Sequence, residues 1–252
     1  MSVDLHRVPG HVAVVTDGSG GTALGDTGLG DTGLGDTALV DVVDGALEIG
    51  LRWLTIDAVP STRWGAPLAD VCALAAECEQ VVLARRDEWR ARGVRIRAIG
   101  RRDARLPHRL ERVITETEAM TASNHGMTLT LAVDHDGRAE LAAAMSAIAE
   151  EVRSGTRRPS TIDEDVVAAH LDAPDLPDPD LVIRTGGDTR TSSFLVWQSA
   201  YSEFVFTDTH WAEFRRADLF AAVAEFQRRE RRFGAVDPTG PPDIGEGRGE
   251  LH

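Results

Sequence analysis

Apolar and polar positions switch between two periods along the chain, and the switches mark its elements. "HVAVVTDG" (11–18) is a short β-branched run ending in Asp-Gly, which predicts a buried parallel strand leading into a loop. From Asp36 the period lengthens. Leu39, Val43, Ala46 and Leu47 fall on one stripe and Asp41, Asp44 and Glu48 on the other. That predicts a helix capped by Asp36, stopped by Gly50, with its acidic face in solvent. "LRWLTIDAV" (51–59) reads as the next strand, closed by Pro60, and 66–93 as a helix ending at a glycine. Strands follow at 94–100, 126–134, 181–187 and 204–208, with helices at about 106–123, 138–154 and 216–231. A Pro- and Asp-rich connector, "DAPDLPDPD", fills 172–180.

Such alternation predicts a single α/β domain with a mostly parallel central sheet flanked by helices. Ligands in such sheets sit beyond the carboxyl ends of the strands. Here those ends are Asp17-Gly18, Ser61, Asp134 and Arg184-Thr185-Gly186-Gly187. The domain is expected over 1–236, with the Pro/Gly-rich stretch 237–252 as a disordered tail.

Composition narrows the function classes. The chain has 252 residues, 42% hydrophobic and 27% charged, enough for a core in one domain. A formal net charge of −14 argues against a nucleic-acid partner, which needs a concentrated positive surface. It leaves room for an anionic small ligand, since a few arginines make a local positive pocket. No run approaches the ~20 apolar residues of a transmembrane segment, and no signal peptide opens the chain, so a cytoplasmic location is expected. Cys72 and Cys78 read as two small buried thiols.

The most informative passage is "DLVIRTGGDTRTSSFLVWQSAYSEFVFTDTHW" (180–211). Arg184 leaves a strand end, two glycines turn the backbone, and Arg190 and Ser192 follow. Two guanidinium forks, a hydroxyl and loop amides at one strand end suit a diphosphate. Glu203 downstream could ligate a hard cation. A structural arginine network accounts for the same residue types equally well.

This passage resembles the C-terminal signature of the cis-prenyltransferases, the undecaprenyl diphosphate synthase family. "HVAVVTDGSG" is similar to the family's opening strand and Asp-Gly-Asn-Gly loop, "GMTLTLAVDHDGR" to its Asn-Tyr-Gly-Gly-Arg strand end, and "RRERRFG" to its C-terminal motif. The resemblance implies a dimeric α/β protein with a hydrophobic tunnel, in which Mg²⁺ assists the joining of isopentenyl diphosphate to an allylic prenyl diphosphate. By position, Asp17 would hold Mg²⁺ and assist departure of the allylic diphosphate, with loop residues Gly18, Ser19 and Gly20 binding diphosphate beside it. Arg184, Arg190 and Ser192 would grip the acceptor's diphosphate, with Glu203 near the metal. Arg232 and Gly234 would reach towards the site across the dimer. Ser61, Trp64, Asp134 and His135 would line it.

The chain departs from the family pattern at the first loop. Where the family reads Asp-Gly-Asn-Gly-Arg-Trp-Ala, followed by further cations, this chain reads Asp17-Gly18-Ser19-Gly20-Gly21-Thr22-Ala23. No Lys, Arg or His lies between His11 and Arg52, and Asp26, Asp31 and Asp36 stand in a GDTGL repeat instead. The Phe-Ser-x-Glu-Asn-Trp segment becomes Val59-Pro60-Ser61-Thr62-Arg63-Trp64, and Asn-Tyr-Gly-Gly becomes Asp134-His135-Asp136-Gly137. Each close carboxylate–diphosphate contact costs roughly a few kcal/mol even at an effective dielectric of about 20. The allylic site in its usual form is therefore expected to fail, and the headgroup to settle on the late arginines.

Three readings follow. In the first, a rebuilt enzyme ionises a short allylic diphosphate held by the arginines, with Mg²⁺ bridging to Asp17 and Glu203, and gives cyclised, rearranged or irregularly coupled products, as a terpene synthase does. In the second, the chain is a non-catalytic subunit that binds a ligand or a heteromeric partner. In the third, it elongates prenyl chains in the ordinary way, binding the allylic diphosphate through loop amides. Retention of Asp17, Arg184, Arg190, Ser192 and Glu203 favours the first over the second.

Simpler roles compete for several residues. The repeat reads as a flexible loop, since a five-residue period does not keep its aspartates on one helical face, although any of them could bind metal. His135 and Asp136 are either a base or supporting donor at the sheet's opening, or a solvated pair. His11 belongs to the start of its strand rather than to the site. Trp53 and Trp64 either shield a carbocation or pack in the core.

Overall fold

The computed structural model describes residues 3–17, 38–60, 68–100 and 107–229. Among these residues, six strands form one sheet in the order β3-β4-β2-β1-β5-β6. In chain order these are β1 (His11–Val15), β2 (Trp53–Val59), β3 (Arg95–Ile99), β4 (Thr128–Val133), β5 (Leu181–Arg184) and β6 (Glu203–Phe206). All five pairings are parallel. The central strands are near-continuous apolar runs because a parallel sheet is covered on both faces. Period two then divides them. Val12, Val14, Leu54, Ile56, Leu129, Leu131, Leu181 and Ile183 join one core cluster, and Ala13, Val15, Ala132 and Val182 the other. Each fully buried aliphatic side chain contributes about 1.5–3 kcal/mol.

The first cluster also takes in α1 (Ala38–Glu48), α2 (Leu68–Ala91), α3 (His108–Thr121) and α6 (Arg216–Arg228). The second face is closed by Ala173 and Leu176 of the Pro/Asp connector and by Phe194 and Leu195. The remaining helices are α4 (Gly137–Arg153) and the short α5 (Glu164–Ala168). No helix among the described residues is long and apolar enough to cross a membrane.

Helix α1 ends as read. Gly50 takes φ +72°, and its N–H and that of Leu51 return to the carbonyls of Leu47 and Ala46. Its acidic face, however, is only partly solvated. The Arg216 backbone N–H and Nε each donate to Asp41 at 2.7 Å, the same guanidinium reaches Glu48 at 3.3 Å, and Arg92 pairs with Asp44. The cause is close packing: a Cβ built on Gly45 would lie 2.5 Å from the Arg216 Cβ, so the start of α6 lies directly against α1. The cysteines also differ from expectation. Cys78 is buried, its thiol pushed up to about 12 by desolvation, but Cys72 is exposed. Six residues turn a helix by about 600°, which separates their directions by roughly 120°.

Register fixes what can meet. Val15 pairs with Arg184, so Asp17 and the loop after Arg184 emerge at the same end of adjacent strands. Leu181 pairs with Glu203 and Arg184 with Phe206, so Glu203 begins its strand at the opposite end.

Candidate functional site

The loop after β5 carries consecutive left-handed glycines, Gly186 (φ +79°) and Gly187 (φ +71°), a conformation that side chains rarely tolerate. Their N–H groups donate to the carbonyls of Thr209 and Thr207 at 2.9 Å. This fastens the segment after β6 against the end of β5 and brings His210 and Trp211 to Asp17.

Asp17 is 7% exposed and tightly held. Its Oδ1 accepts from the Trp211 backbone N–H at 2.7 Å and from the Thr185 hydroxyl at 3.0 Å. Its Oδ2 lies 2.6 Å from His210 Nδ1. The carboxylate raises the imidazole's pKa, through the hydrogen bond first and then through its charge. The His210 side chain remains 55% exposed at the rim of the site.

On the other side of the same loop, Asp188 gathers the two arginines named from sequence. Arg184 Nη2 and Arg190 Nε each donate to it at 3.1 Å. The hydrogen bonds from Arg190, then that from Arg184, hold this carboxyl well below the usual carboxylate range. Two guanidiniums therefore already converge on one anion. Arg184 is mostly buried and its Nε finds no hydrogen-bond partner among the described residues, whereas the Arg190 side chain is 87% exposed. The Ser192 hydroxyl accepts from the Phe194 N–H at 3.1 Å, fixing the turn beyond them.

A second polar group lies beneath that turn. His135 is buried, and the Leu195 N–H approaches its Nε2 at 3.4 Å. Glu140 stands 3.8 Å from Nε2 and Asp172 3.8 Å from Nδ1, ion-pair distances rather than hydrogen bonds. Burial alone would lower this imidazole's pKa, but Asp172, Glu140 and Asp57 more than offset it and the net shift is upward. His135, Glu140 and Asp172 offer ligand atoms all within 4.8 Å of one another, a donor set that a divalent cation could use. Asp134 and Leu195, the non-glycine residues at positive φ (51° and 48°), flank this contact. Asp136 instead caps α4, accepting from the N–H groups of Arg138 and Ala139. Asp57 completes the group. Desolvation pushes its carboxyl up to about 7, partly opposed by His135 and Arg184.

Among the residues named from sequence, the structure brings Asp17, Arg184, Arg190 and Ser192 to one end of the sheet, with Asp134 and His135 at the end of β4. It does not bring Glu203 there. That side chain is three strand residues away, roughly 10 Å. It lies 3.5 Å from Arg229 and lines a cavity of about 380 Å³ with Arg7, Gly10, Asp180 and Phe226. Asp17 and Glu203 of one chain therefore do not fit a shared Mg²⁺. Asp17 alone offers the kind of carboxylate that Mg²⁺ commonly takes together with phosphates and waters, although both of its oxygens already have protein partners. Gly18, Ser19, Gly20, Ser61, Trp64, Arg232 and Gly234, with Asp26, Asp31, Asp36 and the tail, lie outside the described residues. His11 is a strand-start residue as read, bonded to the Pro177 carbonyl and Thr55 hydroxyl. Trp53 packs partly buried against the second core cluster.

Sequence reasoning missed Asp188, His210 and Asp57. Asp188 was legible as an acid four residues after one arginine and two before the other. Asp57 was legible as a carboxylate inside an apolar strand. His210 had no local signal.

Residues 27–234 match the family model described as "Putative undecaprenyl diphosphate synthase". The chain belongs to this family. Curated cis-prenyltransferase relatives match over nearly its whole length. Isoprenyl transferase 2 of Bradyrhizobium diazoefficiens is 41% identical over 92% of this chain and 93% of its own. The trans,polycis-polyprenyl diphosphate synthase ((2Z,6E)-farnesyl diphosphate specific) of Thermobifida fusca is 41% identical over 95% of this chain and 86% of its own. Among solved structures, lavandulyl diphosphate synthase from Lavandula x intermedia, in complex with dimethylallyl diphosphate, aligns with a TM-score of 0.75 at 28% identity, covering 91% of this chain and 99% of that one. The fold is thus that of the undecaprenyl diphosphate synthases, and the chain is a prenyltransferase-family enzyme.

Proposed function

We propose that this enzyme transfers an allylic prenyl group to isopentenyl diphosphate, extending a prenyl diphosphate chain. The observation that carries this reading is the convergence of Arg184 and Arg190 on Asp188 beside Asp17. A diphosphate that displaces the Asp188 carboxylate meets two guanidiniums already facing one anion, with Ser192 at the adjoining turn. That is the acceptor's half of the site. The allylic half lies on the Asp17 side, where the C–O bond breaks with its electron pair leaving on the diphosphate. The acceptor's double bond then forms the new C–C bond, and a proton leaves the adjacent carbon. Mg²⁺, when bound, supplies charge neutralisation for the departing diphosphate. Asp17 would hold it, and fixed donors around the site would stabilise the same charge. The hydrophobic tunnel, a homodimer and cytoplasmic residence go with this reading as family expectations.

Elongation is preferred over the cyclising chemistry expected from sequence because the relatives at about 40% identity are named as isoprenyl transferases and polyprenyl diphosphate synthases. A second reading, irregular coupling of short diphosphates, draws support from the missing cations between His11 and Arg52 and from the likeness to lavandulyl diphosphate synthase. The experiment supplies the purified chain with Mg²⁺, radiolabelled isopentenyl diphosphate and geranyl or farnesyl diphosphate. Labelled products spaced by one isoprene unit are expected. Branched or cyclic products made without label would establish the second reading, and no turnover of any diphosphate would overturn both.

A further inference from the structure

Positions 12–51 contain no Lys, Arg or His. A diphosphate on the Asp17 side must find any side-chain cation elsewhere. The structure places one basic side chain there from the far end of the sequence, 193 residues away.

His210 is held on two levels. Its backbone is fixed because its carbonyl accepts from the N–H groups of Glu213 and Phe214 at 2.9 Å, and because Thr209 and Trp211 on either side bind Gly186 and Asp17. Its ring is fixed by the contact of Nδ1 with Asp17 Oδ2. A carboxylate bound to one imidazole nitrogen sets the orientation of the ring, and so the direction of the other nitrogen, as carboxylate–histidine pairs do in many sites. With 55% of its side chain exposed, the ring is not core packing. It lies against the Asp17 carboxylate, whose own side chain is only 8% exposed.

We propose that His210 is a diphosphate-binding residue of the allylic half-site, with Asp17 orienting its ring and Nε2, on the opposite side from Asp17, donating to a phosphate oxygen. The assignment rests on the reading of this chain as a prenyltransferase on allylic diphosphates. It makes the Asp17–His210 pair a source of the side-chain cation that positions 12–51 lack. The late arginines then serve the acceptor, so the two diphosphates need not compete for them.

Two substitutions separate this role from mere support of Asp17. His210→Asn can keep a donor near Nδ1 for Asp17 but loses the far nitrogen, whereas His210→Gln reaches the Nε2 position. Both are compared with His210→Ala by steady-state kinetics and by calorimetric binding of geranyl thiolodiphosphate, whose C–S bond resists cleavage. In His210→Ala and His210→Asn the KM for the allylic diphosphate and the thiolodiphosphate Kd should rise about tenfold or more, the size of one charge-assisted hydrogen bond. His210→Gln should recover most of this loss, and the KM for isopentenyl diphosphate should change less than about twofold in all three. Rescue by Asn rather than Gln, equal movement of both KM values, or unaltered thiolodiphosphate binding would overturn the proposal, as would a wild-type chain that does not bind the analogue. If the chain binds the analogue through His210 yet never incorporates isopentenyl diphosphate, the elongation reading fails and this one stands.

Discussion

Gly186 and Asp17 touch so closely that a Cβ built on Gly186 would lie 2.3 Å from the Asp17 Cβ. The contact seats the carboxylate between the β5 loop and the His210–Trp211 segment. Gly186 also holds φ +79°, where an L side chain is strained even without a neighbour. Gly186→Ala should therefore displace the Asp17 carboxylate, and turnover should fall at least about a hundredfold, as misplacement of an ångström can cost. Steady-state rates and a melting curve check this. Near wild-type turnover would show that the position of Asp17 is not critical.

Asp188 occupies the guanidiniums that an incoming diphosphate needs. Asp188→Asn removes the competing charge, so metal-free inorganic pyrophosphate should bind about threefold or more tightly by calorimetry. Weaker binding would show instead that Asp188 chiefly holds the arginines in place.

Asp57 provides a pH-dependent stability test. Its carboxyl titrates near 7 when folded, against an ordinary value near 4, because it is desolvated first of all and only partly stabilised by His135 and Arg184. Between those values the folded protein binds the extra proton, so this group's contribution to stability falls as pH rises from about 4 to 7. The ionised form costs on the order of 4 kcal/mol. Asp57→Asn should raise the melting temperature at pH 8 and change it little at pH 4. An unchanged or lower Tm at pH 8 would contradict the assignment.

His11 acts in the opposite direction. Burial lowers its pKa to about 4, against partial support from the Pro177 carbonyl. The unfolded chain binds this proton below about 6.5 while the folded chain does not, so stability is complete above pH 6.5 and is lost as pH falls towards 4. The loss is on the order of 3 kcal/mol. His11→Gln should flatten that part of the urea-denaturation profile against pH. A slope equal to wild type would place the acid sensitivity elsewhere.

The strands, the helices and the arginine loop were legible because their signals are local. Period two or 3.6, a closing glycine and an Arg-Thr-Gly-Gly turn act within a few residues of themselves, and so the fold class and the shared end of the sheet where Asp17 and the Arg184 loop emerge follow from the order of segments. Glu203 shows where this stops. Its neighbours in sequence look like the site's, yet strand register carries it to the other end of the sheet. The acidic face of α1 read as solvated because its arginine partner lies 175 residues further on. Asp17 was legible as the residue where β1 runs out, but the residues that grip it were not, since Thr185, His210 and Trp211 reach it only through parallel pairing of β1 with β5 and the hydrogen bonds of two left-handed glycines. Segment identity is settled by short-range sterics and side-chain period. Which charges meet is settled by register and crossover, and those emerge only when the whole sheet closes its core.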